Sequence, residues 1–261
     1  MEILGFIASM SAGFLLGLMG SGGSIITVPI LVYLFKLDIV TATSYSLFIV
    51  GVSASTASIA YYKRKLVDVK VFLLFGVPSV VSVFLTRSFL VPILPDEFHL
   101  STSLVVGKQA AIMGIFSLLM LLAAFSLIRK RGKIDEVCED CQKNYVLPVQ
   151  GLFVGALTAL VGAGGGFIIV PILSLFGGLS MKKAVGTSLT IVSLQSLIGF
   201  STGITSIEID WLFLLTILVL TISGIGVGTH LSKKIDGKKL KPIFGWFVLL
   251  FAVFILVKEL V

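Results

Sequence analysis

At 261 residues the chain is 57% hydrophobic and only 13% charged, about half the roughly 25% of an ordinary soluble domain. That balance excludes a water-soluble fold. The net charge of +7 comes from basic residues clustered between apolar stretches, so it signals membrane topology rather than nucleic-acid binding.

No basic region precedes the first apolar stretch and no small-residue cleavage site follows it, so no removable signal peptide is expected. Ile3 to Met19 is apolar and stops at Gly20-Ser21-Gly22-Gly23-Ser24. The limb that follows, Ile25 to Phe35, has 11 residues, too few for a hydrocarbon core that needs roughly 20. A helix over about 41–62 comes next, dense in hydroxyls: Thr41, Thr43, Ser44, Tyr45, Ser46, Ser53, Ser55, Thr56 and Ser58. Spans at Val69 to Leu90 and Gly107 to Ile128 flank a loop around Pro92 to His99. The hydrophilic segment 129–145 holds both cysteines, Cys138 and Cys141. They offer a redox pair or half of a metal site shared between subunits, but two thiols alone do not complete a tetrahedral zinc site. A polar interhelix loop with reduced thiols is the simpler reading.

Val146 to Val161 opens a second series. It stops at Gly162-Ala163-Gly164-Gly165-Gly166 and continues as the 10-residue limb Phe167 to Phe176. A helix over about 184–203 carries Thr187, Ser188, Thr190, Ser193, Gln195 and Ser196, and spans follow at Trp211 to Leu231 and Pro242 to Val257. Strand signals are absent, so the expected fold is an all-α polytopic membrane protein.

The two series are copies. Sliding the chain against itself by 142 residues aligns 13–50 with 155–192 without gaps and with identity at 17 of 38 positions, including Gly20/Gly162, Gly22/Gly164, Gly23/Gly165, Pro29/Pro171 and Ser46/Ser188. Asp68 pairs with Asp210 at the same offset, each just ahead of an apolar span. The first repeat takes in 1–128 (hairpin 3–35, helices about 41–62, 69–90 and 107–128), 129–145 is a cytoplasmic loop, and the second repeat takes in 146–261 (hairpin 146–176, helices about 184–203, 211–231 and 242–257).

Glycine costs about 1 kcal/mol in a helix interior relative to alanine, so each cluster breaks its helix. Broken backbone at membrane depth is tolerated only against protein or a watery cavity. Each limb pair is then either one interrupted crossing or a re-entrant hairpin. Eight continuous crossings divide the basic residues ten and ten, whereas re-entrant hairpins place 16 on one face and 4 on the other, a clear positive-inside bias. Each half then has a hairpin and three crossings, so the halves are inverted and both termini are extracytoplasmic, an architecture recurrent among transporters.

Helix ends at the glycine clusters present unsatisfied amides and about half a positive charge, which suits anions. Gly22, Gly23, Gly164, Gly165 and Gly166 have no side chains to block approach, and Ser21 and Ser24 add hydroxyls; close helix packing is the plainer use of such glycines. Gly20, Pro29, Gly162 and Pro171 frame the motif. Ser46 and Ser53, seven apart on one helix face, match Ser188 and Gln195 and, with Thr187, are expected to line the pathway; hydroxyls bonded to their own helix carbonyls are the alternative. The spans contain almost no Asp, Glu or Lys, and His99 and His230 sit near loops or span ends, so no proton relay, metal cluster, cofactor or catalytic group is expected. Arg87, near the end of its span, either snorkels to the interface or attracts anions, and snorkelling is the simpler reading.

At the two clusters, Gly20 to Pro29 and Gly162 to Pro171, the sequence resembles the TauE/SafE family of sulfite exporters. Gly186-Thr187-Ser188-Leu189 adds to the likeness, while the first half has Ser44-Tyr45-Ser46-Leu47 and places Ser24 where a glycine is frequent. The resemblance implies transport of sulfite, sulfonates or related organosulfur anions, with the glycine segments near the substrate. The expected function is export of such anions across the plasma (inner) membrane by alternating access at a midplane site. Its partners are a small anion and the lipid bilayer, without nucleic acid; a homo-oligomer is left open. An anion channel, or a membrane redox sensor or scaffold using Cys138 and Cys141, is the alternative.

Overall fold

The computed structural model describes residues 2–19, 22–93, 97–101, 104–129, 146–162, 164–204, 207–232 and 237–260. Its helices form two series of five. The first comprises α1 (Glu2–Met19), α2 (Gly22–Pro29, continued by a π-helical turn, Ile30–Leu34), α3 (Ile39–Lys63), α4 (Val69–Ile93) and α5 (Lys108–Arg129). The second comprises α6 (Val146–Val161), α7 (Gly166–Leu175), α8 (Met181–Gly203), α9 (Trp211–Ser232) and α10 (Gly237–Leu260). Over the described residues α3, α4, α8 and α9 are long and apolar enough to cross a bilayer. The segment carrying Cys138 and Cys141 lies outside the described residues.

Local chemistry sets the helix boundaries. Asp38 Oδ2 accepts the Val40 amide at 2.9 Å and so caps α3, while Asp68 Oδ1 accepts that of Val71 at 3.0 Å and Asp210 Oδ1 that of Phe213 at 3.1 Å at the starts of α4 and α9. Within α4, π-helical turns at Phe72–Gly76 and Thr86–Leu90 lie just ahead of Pro78 and Pro92. A proline ring has no amide to give to the carbonyl four residues back, and the ladder widens beside it.

One departure from the expected absence of strands is an antiparallel hairpin, β1 (Glu97–Ser101) with β2 (Leu104–Gly107), pairing Phe98 with Val106 and His99 with Val105. Val105 and Val106 favour extended backbone, but strands of five and four residues are too short to show a period in the sequence.

The two halves are inverted. Helices α3 and α8 are equivalent elements and run antiparallel: Ser58 meets Thr190, Gly51 meets Leu197 and Ser44 lies by Gly203. The amide of Asp68, at the start of α4, donates to Thr187 Oγ1 near the start of α8, which puts both starts at one end of the bundle. Helix α6 runs alongside α4 in the same sense, Gly151 on Phe75 and Gly155 on Ser79, so it begins at that end, and α7 returns there through 176–180. It is a re-entrant hairpin. The α1–α2 pair repeats this at the opposite end, with Gly13 on Thr221 and Gly17 on Ile225 of α9, and Asp210 on Tyr45.

Each hairpin therefore packs its first limb into the other repeat, α1 against α9 and α6 against α4. A Cβ at Gly13 would strike the carbonyl oxygen of Thr221, and one at Gly155 that of Ser79. Adding 142 to the first glycine and subtracting it from its partner turns one pair into the other. Small residues allow this backbone approach, which in lipid takes the place of hydrophobic drive. Large apolar side chains such as Leu122, Leu212, Val219 and Leu250 cover the outside, a surface suited to lipid.

Candidate functional site

The second glycine cluster is a turn at the centre of the bundle. Gly162, Gly164 and Gly165 have φ of 72°, 65° and 69°, left-handed backbone that glycine adopts without strain. A Cβ at Gly164 would lie 2.7 Å from Ser196 Oγ, 2.9 Å from Val50 Cγ1 and 3.2 Å from Val192 Cγ1. Val50 and Val192 stand near the midpoints of α3 and α8, so the turn sits between these helices at half depth. Gly162 abuts Thr43, and Gly165 abuts Thr158 of α6.

The turn opens α7. The Gly165 carbonyl accepts the amides of Ile168 and Ile169 at 2.9 and 3.0 Å. The amides of Gly166 and Phe167 precede these first intrahelical donors, and the first turn of a helix leaves such groups for outside acceptors. Buried Pro171 has no amide for the Phe167 carbonyl. In the first half, Gly20 and Ser21 lie outside the described residues, as does the side chain of Ser24, while Gly22 and Gly23 begin α2 and Pro29 closes its regular part. The hairpins meet in one apolar cluster, where Phe167 joins Ile25, Ile26 and Val28.

Around the turn lie buried polar atoms without a hydrogen-bond partner among the described residues: Ser46 Oγ and Ser53 Oγ on α3, and Ser188 Oγ, Gln195 Oε1 and Ser196 Oγ on α8. Ser46, Val50 and Ser53 follow the i, i+4, i+7 spacing of one helix face, as do Ser188, Val192 and Gln195. Since Val50 and Val192 both touch the turn, these hydroxyls and the glutamine flank it within about one helical turn on either side. Serines bonded to their own helix, such as Ser55 on Gly51 and Ser193 on Thr190, lie elsewhere on the same helices. A buried polar atom left unpaired costs about 1–3 kcal/mol, and here five of them gather round one turn.

Gln195 Nε2 donates to Ser79 Oγ at 2.5 Å, which orients the amide and leaves Oε1 without a partner. Thr187 is placed differently. Its Oγ1 is occupied by the Asp68 amide at 2.9 Å, at the end of α8 rather than beside the turn. Ser196 escapes a search for residues matched between repeats because its counterpart is Ala54; only its position beside Gly164 reveals it.

Arg87 corrects the expectation that it snorkels. It is 5% exposed, with Nε donating to the Ala159 carbonyl at 3.1 Å and Nη1 to Ser44 Oγ at 3.3 Å. Nη2 has no partner. The signal for this was helical phase: Ser79, Val83 and Arg87 recur every four residues on the buried face of α4. Among the described residues no three His, Cys, Asp or Glu side chains come together as metal ligands.

The family model described as Sulfite exporter TauE/SafE matches residues 5–255. Among similar proteins, a "Probable membrane transporter protein" of Xylella fastidiosa (strain 9a5c) is 26% identical over 253 residues, covering 94% of this chain and 90% of its own. The "Probable membrane transporter protein YunE" of Bacillus subtilis is 29% identical over 261 residues, covering 92% and 90%. A probable membrane transporter protein of Methanocaldococcus jannaschii is 27% identical over 244 residues, covering 85% and 86%. No solved structure matches the chain.

Proposed function

The chain belongs to the sulfite exporter TauE/SafE family, and we propose that this membrane transporter exports small sulfur-containing anions by alternating access, holding them at the glycine turn between α3 and α8. The observation that carries this reading is the set of buried hydroxyl donors without a partner among the described residues, Ser46 and Ser53 on α3 and Ser188 and Ser196 on α8. Such hydroxyls, with the first-turn amides of Gly166 and Phe167, offer hydrogen bonds in several directions, as an oxyanion with three or more acceptor oxygens needs. The matched pair Ser46 and Ser188, at equivalent places in two inverted halves, supplies a site that each hairpin closes from its own side.

The protein lies in the plasma membrane with both termini extracytoplasmic, the orientation that puts 16 of its 20 basic residues on the cytoplasmic face. A negative interior then drives an anion outward by about 2.3 kcal/mol per charge per 100 mV. Purified protein in liposomes, loaded in turn with labelled sulfite, thiosulfate, taurine and sulfoacetate, should release at least one with a saturable rate that rises as the interior is made negative. No release of any of the four overturns the substrate class. Unitary currents too large for a carrier cycle overturn alternating access.

A further inference from the structure

We infer that Arg87, oriented by Ser44, whose own hydroxyl donates to the Val40 carbonyl at 2.9 Å, forms a second anion station on the α4 side of the glycine turn, a fixed cation that admits negatively charged solutes. A guanidinium keeps its proton at neutral pH, and this one is buried in a membrane-spanning helix with no acidic partner among the described residues. Its two hydrogen bonds go to a carbonyl and a hydroxyl, which orient it without cancelling its charge. A buried charge without a counter-charge is costly, and isolated ionisable groups in membrane spans mark ion pathways. The missing counter-charge is an anion, and the unpartnered Nη2 is the donor that would hold it.

The position fits that role. The Arg87 Nε bond falls on Ala159, three residues before Gly162, and Gly162 abuts Thr43, next to Ser44. The guanidinium is thus within one helical turn of the glycine turn. Gly203 lies beside it, its absent Cβ 3.3 Å from Ser44 Oγ and 3.8 Å from Arg87 Nη1, so no side chain at that position crowds the cation. The residue equivalent to Arg87 in the second repeat is Thr229, so the charge exists on one side only. Capping the last carbonyls of α6 explains the Nε bond, but a neutral side chain could cap as well and would spare the cost of burying charge.

The ligand class rests on the transport reading, and the test separates the two. Thermal unfolding of the purified full-length protein in detergent is followed against thiosulfate, against taurine as a zwitterionic sulfonate, and against choline chloride as the ionic-strength control. Thiosulfate should raise the Tm of the wild type in a saturable way. Arg87→Met should lose the Arg87 component of that response, leaving only a weaker one from the glycine turn, while its own Tm without thiosulfate stays level or rises, because an uncompensated charge has been removed. Arg87→Lys should retain the response at a midpoint about tenfold weaker, since a point charge replaces a directed fork. A wild-type midpoint in Arg87→Met or Arg87→Lys overturns the proposal, as does a fall in Tm of Arg87→Met with its thiosulfate response intact. If Arg87→Met does not fold, the Arg87→Lys midpoint alone decides. A wild type that ignores thiosulfate in this assay overturns the station; whether the transport reading fails with it is read from the liposome fluxes, which do not depend on this assay.

Discussion

Tyr45 Oη accepts the amide hydrogen of Asp210 at 2.7 Å, and its repeat counterpart Thr187 accepts that of Asp68 at 2.9 Å through Oγ1. A phenol and a secondary alcohol thus do the same work at opposite ends of the bundle, each tying the start of a long helix to the neighbouring repeat. Tyr45→Phe and Thr187→Val should each lower stability by about 1–2 kcal/mol, because a partly buried amide is left unpaired. Thermal unfolding in detergent measures this, and unchanged Tm values in both variants would show the contacts to be incidental. Thr187→Val should leave the KM for a transported anion unchanged, since that hydroxyl is already committed to Asp68.

Substituting Gly13 or Gly155 tests the interlocking of the halves. Because each meets a carbonyl oxygen of the other repeat's helix, Thr221 or Ser79, Gly13→Leu and Gly155→Leu should destabilise to a similar degree, by about 2 kcal/mol or more. Gly114, whose surroundings are open, should accept alanine with no loss. A tolerant Gly13 beside an intolerant Gly155 would contradict equivalent packing at the two ends.

Duplication, inversion and the glycine turn were legible because glycine, proline and hydroxyl residues leave marks that survive in both copies. Ser46 and Ser53 could be paired with Ser188 and Gln195 on spacing alone. Partner choice between helices was not legible: nothing about α1 by itself says that it packs on α9, although Gly13 with Gly17 and Gly224 with Gly228 form matching small-residue stripes. Arg87 was misread because position near a span end outweighed helical phase, and its partners Ala159 and Ser44 are distant in sequence. The β1–β2 hairpin fell below the length at which alternation shows.

Lys36 offers a test of backbone strain. It has φ of 56°, and its counterpart in the second repeat is Gly178, with φ of 63°. Both follow a helix end closed by the same bond, Leu37 to Leu31 at 3.1 Å and Leu179 to Leu173 at 3.2 Å, the pattern in which glycine is favoured. Lys36→Gly should therefore stabilise by up to about 1 kcal/mol, whereas Gly178→Lys should cost a similar amount. A drop in Tm for Lys36→Gly would mean that the lysine side chain contributes more than its backbone strain removes.

Gly164→Ala should be among the most damaging single-methyl changes. It puts a Cβ on left-handed backbone and within 2.7 Å of Ser196 Oγ, for a combined cost of about 3 kcal/mol. Adding Ser196→Ala should recover only part of this, because Val50 Cγ1 at 2.9 Å and the backbone strain remain. Full recovery in the double variant, read by Tm, would show the hydroxyl to be the sole obstacle.

Unpartnered hydroxyls at a transport site predict opposite effects on stability and activity. In the folded protein Ser46 Oγ and Ser188 Oγ have lost water without gaining a partner among the described residues, so Ser46→Ala and Ser188→Ala remove a desolvation cost and leave almost the same volume. Each should raise stability by about 1 kcal/mol. If those hydroxyls bond the solute, the same variants should raise the KM of anion flux about tenfold, the loss of one hydrogen bond to a charged ligand. Ser55, bonded to the Gly51 carbonyl at 2.7 Å, serves as the control whose alanine variant should change flux little. A pair of variants that is less stable and transports normally would mean that the hydroxyls find partners within the protein and hold the helices together, which removes them from the site.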